Sequence, residues 1–120
     1  MYAVVGASDT LGWRVVEALL TEVTGDEIAF LVPDAERFAA YATSRNVDVR
    51  DDRDGGRLDD AEVVVLLGPD DGSLVPSTVG RVVAWDGGPT VSVLRPGPAD
   101  LDGGDDPLPA VVAAVLADRP

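Results

Sequence analysis

The 120-residue chain contains no lysine, no histidine and no cysteine. Its nine basic residues, all arginine, are outnumbered by 22 acidic residues, which gives a net charge of −13. These absences exclude a thiolate nucleophile, a disulfide framework, a cysteine-ligated metal, a lysine Schiff base and the usual histidine proton carrier. Any catalysis must therefore depend on carboxylates, hydroxyls, arginine or a bound cofactor.

The composition is typical of one globular domain covering residues 1–120. Hydrophobic residues make up 46% of the chain and charged residues 26%, which is unlike a disordered segment. No apolar run approaches the roughly 20 residues of a membrane span, and the opening residues lack the basic segment of a secretory signal. We therefore expect a soluble, cytoplasmic protein. Because the acidic charge is spread over both halves of the chain, we expect no nucleic-acid partner.

Apolar runs alternate with helical patterns in the first half of the chain. A run at 2–5 ends at Gly6, as a buried parallel strand does. Apolar residues then recur every four positions from Leu11 to Val23, which predicts a helix capped by Ser8, Asp9 or Thr10 and ended by the turn at 24–26. The further elements predicted here are a strand at 28–32, a helix beginning at Pro33 with Phe38, Tyr41 and Ala42 on one face, and a strand at 47–49.

The same alternation continues in the second half. A polar stretch at 51–60 predicts a solvated loop before a buried strand at 62–67. A strand at 90–94 and an acidic loop at 98–106 precede a last helix, whose core stripe extends from Leu108 to Leu116. Such alternation predicts an α/β domain with a mostly parallel sheet and helices on both faces.

One segment, residues 78–86, fits two structures. Its β-branched residues from Gly80 to Trp85 favour a strand, and the turn that follows it would join it to the strand at 90–94. Two strands joined so tightly must be antiparallel, because a parallel pair needs a long crossover. A short helix that ends at Gly87 is the alternative.

The first strand and the first helix are joined by a glycine-flanked loop. Gly6 permits a tight turn after the strand, and Gly12 permits close packing of the helix on the sheet. The free N–H groups at the start of the helix would then face a pyrophosphate. This context predicts a nucleotide site at the loop.

Residues 4–20, from Val4 through Gly6-Ala-Ser-Asp-Thr-Leu-Gly12 to Leu20, resemble the start of the atypical short-chain dehydrogenase/reductases, the NmrA-like and NAD(P)-binding epimerase/dehydratase-like proteins. The resemblance extends to 30–37, 46–52, 59–67 and the Arg-Pro-Gly ending of 90–97. It implies a compact Rossmann-like fold, truncated in its second half because 68–89 replaces a longer substrate region. The predicted cofactor-binding residues are Gly6, Ser8, Asp9, Leu11, Gly12, Asp34, Asp52 and Gly68.

Three departures from the family pattern bear on the cofactor. Asp9 replaces the middle glycine of the family fingerprint, where its carboxylate either repels phosphate oxygens or caps the helix. Asp34 follows Pro33 where NADP-preferring members carry arginine, which disfavours NADP; this carboxylate either binds an NAD ribose or caps the second helix. Asp52 is either an adenine contact or an acid of a solvated loop.

The family's catalytic tyrosine–lysine pair cannot exist here, because the chain has no lysine. We therefore predict a non-catalytic domain that binds a nucleotide such as NAD, or no cofactor, and acts as a regulatory or accessory protein. A small NAD-dependent oxidoreductase or epimerase-like enzyme is the alternative. The third hypothesis is a CoA-binding or nucleotide-sensing domain.

Trp13, Arg95 and the acidic loops each fit more than one role. Trp13 lies off the apolar stripe of its helix, so it either packs locally or marks a surface for a homo-oligomer or protein partner. Arg95 is expected to form a salt bridge or cap rather than to clamp an anion. The acidic loops lack EF-hand spacing, so no metal site is predicted.

Overall fold

The computed structural model describes residues 1–6, 9–32, 35–51, 61–67, 75, 78–86, 88–95, 97 and 99–117. Within these residues seven strands form one sheet. The strands are β1 (Tyr2–Gly6), β2 (Ile28–Val32), β3 (Asp48–Asp51), β4 (Val63–Leu67), β5 (Arg81–Trp85), β6 (Thr90–Arg95) and β7 (Ala99–Asp102). The α-helices are α1 (Asp9–Leu19), α2 (Ala39–Arg45) and α3 (Leu108–Leu116).

The sheet is mostly parallel, as the alternation of elements predicts. Its strand order is β3-β2-β1-β4-β5-β6-β7, and the first five strands in that order are parallel to one another. The chain moves outward from β1 through β2 to β3 and then returns to the other side of β1 to form β4. The order of the strands therefore reverses between β1 and β4.

All three α-helices of the described residues pack on one face of the sheet, and the helices expected on its other face stay a prediction. Val15 of α1 and Val111 of α3 share one core cluster with Val4, Val65 and other strand residues. The cluster on the opposite face draws its residues from strands and connecting segments. For α1 and α2 the reason is that β1 to β2 and β2 to β3 step in one direction, and right-handed crossovers then place both helices on the same face. The helix α3 follows the edge strand β7 and packs on that face beside α1 and β5.

The connections from β3 to β4 and from β4 to β5 step the other way, and most of their residues lie outside the described part of the chain. On that second face, Val75 and Val79 pack with the strands. Arg95 of β6 donates to the carbonyl oxygens of Val79 at 3.1 Å and of Val75 at 3.2 Å. Arg95 therefore makes structural contacts with this segment, and the expectation that it does not clamp an anion stays a prediction.

The segment at 78–86 contains a strand and not a helix. β5 is parallel to β4 on one side and antiparallel to β6 on the other, so the tight connection to β6 is a hairpin as expected. Trp85 closes this hairpin, because its indole N–H donates to the carbonyl of Gly88 at 2.8 Å. Pairing on both sides favours the extended form over a short helix.

The prediction that 98–106 is entirely a loop is wrong, because β7 pairs antiparallel with β6 at the edge of the sheet. All four residues of β7 are exposed, so the strand has no buried face and no apolar alternation that could mark it in the sequence. Its aspartates suit an exposed edge, since charged side chains hinder pairing with another chain.

The helices also differ slightly from their predicted bounds. α1 ends at Leu19, and Val23 reaches the core from the turn that follows. A 3-10 helix at Ala35–Phe38 precedes α2, where one continuous helix was predicted. Among the described residues, no helix is long and apolar enough to cross a membrane.

Candidate functional site

The carboxyl ends of three central parallel strands meet at one edge of the sheet. Gly6 at the end of β1 is in register with Leu67 of β4, which is in register with Trp85 of β5. α1 begins at Asp9, three residues after the end of β1, so its N-terminus lies at the same edge. The reversal of strand order between β1 and β4 therefore coincides with the glycine-flanked loop.

Gly12 brings α1 close to the sheet, as its position in the glycine loop predicts. A Cβ atom added to Gly12 would lie 2.7 Å from Cε1 and 3.0 Å from Cζ of Phe30. Phe30 belongs to β2 and is 1% exposed, so its ring has little room to move. The missing side chain at position 12 thus allows the first turns of α1 to lie against β2.

We expect Gly12→Ala to lower the free energy of unfolding by about 1–3 kcal/mol, because the added methyl group overlaps the Phe30 ring. Urea unfolding measures the change. In a Phe30→Leu background the ring edge is absent, and the same glycine substitution should cost less. An equal cost in both backgrounds would show that the ring is not the obstacle.

The other predicted cofactor-binding residues are only partly described. Asp9 is the first residue of α1, its side chain lies outside the described part, and Leu11 is half-buried against the core. Thr10 lies within α1 and therefore does not precede the helix as a cap. Four predicted site residues lie outside the described residues: Ser8, Asp34, Asp52 and Gly68.

The side chains of Arg14, Trp85 and Asp106 meet beside this edge, and no pattern in the sequence connects them. The guanidinium of Arg14 donates from Nη2 to Oδ1 of Asp106 at 3.1 Å, and its carbon lies 5.9 Å from the centre of the Trp85 ring. Trp85 is 2% exposed, and its buried ring lies beneath the guanidinium. These contacts connect α1, the end of β5 and the segment before α3.

A groove of about 360 Å³ opens beside the β5–β6 hairpin. It is lined by polar groups that already have partners: Asp86 accepts the N–H of Gly88 at 2.9 Å, and Ser92 donates to Asp100 at 3.1 Å. These groups are thus engaged with the chain itself: the Asp86 bond lies within the β5–β6 hairpin, and the Ser92 bond joins β6 to β7.

An aromatic cluster connects α1 with α2 and with the 3-10 helix that precedes α2. Trp13 stacks on Tyr41 with ring centres 5.0 Å apart and meets Phe38 edge-on at 5.9 Å. The Tyr41 hydroxyl donates to Glu17 at 2.9 Å, and burial together with this carboxylate raises the pKa of Tyr41 to about 12. These contacts explain the buried part of the Trp13 side chain, whereas 43% of its surface is exposed. Self-association through Trp13 stays a prediction.

The described residues hold no group of three acidic side chains arranged to bind a metal ion. The charged groups described at the carboxyl edge include the guanidinium of Arg14 and the carboxylates of Asp86, Asp102 and Asp106, each of which has a partner within the chain. A guanidinium suits contacts to an anionic ligand. No protein-family model matches this chain, and no curated protein or solved structure matches it either.

Proposed function

We propose that the chain is a compact Rossmann-like domain, truncated relative to the atypical short-chain reductases, that binds a nucleotide and acts as a non-catalytic regulatory or accessory protein. The observation that carries this proposal is the strand order β3-β2-β1-β4-β5, in which the glycine-flanked β1–α1 loop lies where the order reverses. In open parallel sheets, ligands bind outside the carboxyl ends of the strands at such a reversal.

A phosphate-bearing ligand suits the loop for two physical reasons. At the N-terminus of α1, backbone N–H groups that have no partner within the helix and the positive end of the helix dipole face this edge. Gly12 allows the helix to approach the sheet closely, which is one of the tasks that glycines perform in dinucleotide-binding loops. NAD is favoured over NADP because Pro33 and Asp34 supply no cation for a second phosphate.

The composition of the chain supports a non-catalytic role. The chain lacks histidine, cysteine and lysine, so it cannot assemble a tyrosine–lysine pair or a base-activated thiol. A domain that has this carboxyl edge of the sheet but lacks histidine, cysteine and lysine is suited to bind a nucleotide and to signal its presence through a partner or a second copy.

Thermal unfolding in the presence of NAD, NADH, NADP and CoA tests the proposal. A ligand at 100 times its Kd should stabilise the fold by about 2.7 kcal/mol, and we expect this from NAD or NADH and not from NADP. Asp9→Gly should increase the shift, because it removes a carboxylate from the predicted phosphate position. Absence of a shift with all four ligands would overturn nucleotide binding. A preference for CoA would favour the sensing domain, and steady oxidation of NADH with a carbonyl substrate would favour an enzyme.

A further inference from the structure

We infer that Arg14 is the side chain that contacts a phosphate group of the bound ligand, and that the carboxylate of Asp106 occupies this position in the free protein. The inference rests on the proposed function, because it assigns a residue of the same site. Ligand binding would then replace one anion at the guanidinium by another. The carboxylate of Asp106 thus competes with the ligand phosphate for the guanidinium of Arg14.

The position of Arg14 supports this assignment. It belongs to the second turn of α1, two residues after Gly12, and its guanidinium lies over the Trp85 ring at the carboxyl end of β5. The side chain therefore reaches from α1 to Trp85, the last residue of β5, and β5 lies next to β4 in the sheet. A phosphate bound at the carboxyl ends of β1 and β4 would lie beside the first turns of α1, the helix that carries Arg14.

The environment of Asp106 has the donor set of a phosphate site. Its Oδ1 atom accepts from Arg14 at 3.1 Å and from the backbone N–H of Leu108, the first residue of α3, at 3.3 Å. A guanidinium and a helix-terminal N–H group are donors that proteins use for phosphate. In the free protein the carboxylate of Asp106 therefore occupies the position of an external phosphate, whose oxygen atoms accept hydrogen bonds from the same donors.

Displacement of this carboxylate would cost little. The side chain of Arg14 is 47% exposed and that of Asp106 is 61% exposed, and ion pairs in such positions add little to stability. Four other arginines make structural contacts elsewhere: Arg45 with Glu17, Arg50 with Asp48, Arg81 with the carbonyl of Ala114, and Arg95 with two carbonyl groups. Arg14 is therefore well placed to exchange its partner.

Binding of inorganic pyrophosphate to three variants tests the inference. Asp106→Asn removes the competing charge while keeping an oxygen for the Leu108 N–H group, because asparagine forms the same local contact. Asp105→Asn is the matched control, since it changes net charge equally in the same segment. Arg14→Gln combined with Asp106→Asn removes the proposed phosphate contact. Calorimetry at about 0.15 M salt limits the effect of charges more than about 8 Å away.

We expect Asp106→Asn to lower the pyrophosphate Kd roughly threefold relative to Asp105→Asn, and the added Arg14→Gln to abolish this gain. Equal affinities for the two asparagine variants, a gain that survives loss of Arg14, or no pyrophosphate binding by any variant would each overturn the inference. If NAD, NADH, NADP and CoA all fail to bind while the pyrophosphate result holds, the proposed function falls and the anion site remains.

Fluorescence supplies a readout that does not depend on affinity. In a Trp13→Phe background Trp85 is the only tryptophan, and Arg14 lies over its ring. Release of Arg14 from Asp106 should change Trp85 emission when pyrophosphate is added. Unchanged emission at saturating pyrophosphate would contradict the movement of the guanidinium.

Discussion

Trp85→Ala is expected to lower the free energy of unfolding by about 3–5 kcal/mol, a large part of the stability of a domain of this size. Trp85 is 2% exposed and belongs to the core cluster on the helical face of the sheet. The substitution leaves a cavity and also removes the indole bond to the Gly88 carbonyl that closes the β5–β6 hairpin. Urea unfolding followed by far-ultraviolet circular dichroism measures the loss.

Trp13→Ala is the matched control for this prediction, because it removes an identical side chain that is 43% exposed. Trp13 loses its contacts with Tyr41 and Phe38 but leaves no buried cavity, so we expect a much smaller effect. Similar losses from the two tryptophan variants would contradict the assignment of Trp85 to the core. If Trp85→Ala fails to fold, Trp85→Phe keeps most of the buried volume and should be destabilised less.

Gly25→Ala is expected to be the second severe change, with a loss of about 3 kcal/mol in the free energy of unfolding. A Cβ atom at position 25 would lie 2.2 Å from the carbonyl oxygen of Arg45 and 2.9 Å from that of Asn46. These are backbone atoms at the end of α2, where Asn46 already adopts a left-handed conformation with φ of 58°. The backbone must therefore move to accept a methyl group.

Gly80→Ala is the control, since the nearest atom to its added Cβ is the carbonyl oxygen of Glu62 at 3.9 Å. Position 80 is exposed, and we expect a change within about 0.5 kcal/mol. Thermal and urea unfolding compare the two alanine variants directly. A tolerated Gly25→Ala would mean that the turn before β2 does not lie against the end of α2.

The elements with strong apolar patterns are predictable from the sequence. The bounds of β2 at Ile28–Val32 and of α3 at Leu108–Leu116 agree with the apolar run and the core stripe that predict them. β2 is buried on both faces of the sheet, which produces its continuous apolar run, and α3 buries one face, which produces its stripe. The strand β7 escapes prediction because no side chain of it is buried.

Contacts between distant parts of the chain are not predictable from local patterns. The stripe on α1 predicts a buried side, but it contains nothing about which face of the sheet that side covers, which depends on the direction of the crossovers. The role of Gly12 is predictable because the strand–glycine–helix context is local. By contrast, Arg14 and Asp106 are 92 residues apart, and no local spacing connects them.

Composition and local periodicity are enough to establish which chemistries are absent, where the central strands lie and that a glycine-flanked loop joins the first strand to the first helix. The three-dimensional arrangement is needed to show that the α-helices of the described residues share one face, that Gly25 lies against the end of α2 and that Arg14 meets Asp106 above Trp85. The physical reason is that these contacts arise from the order of the strands in the sheet, which brings together residues with no pattern in common along the chain.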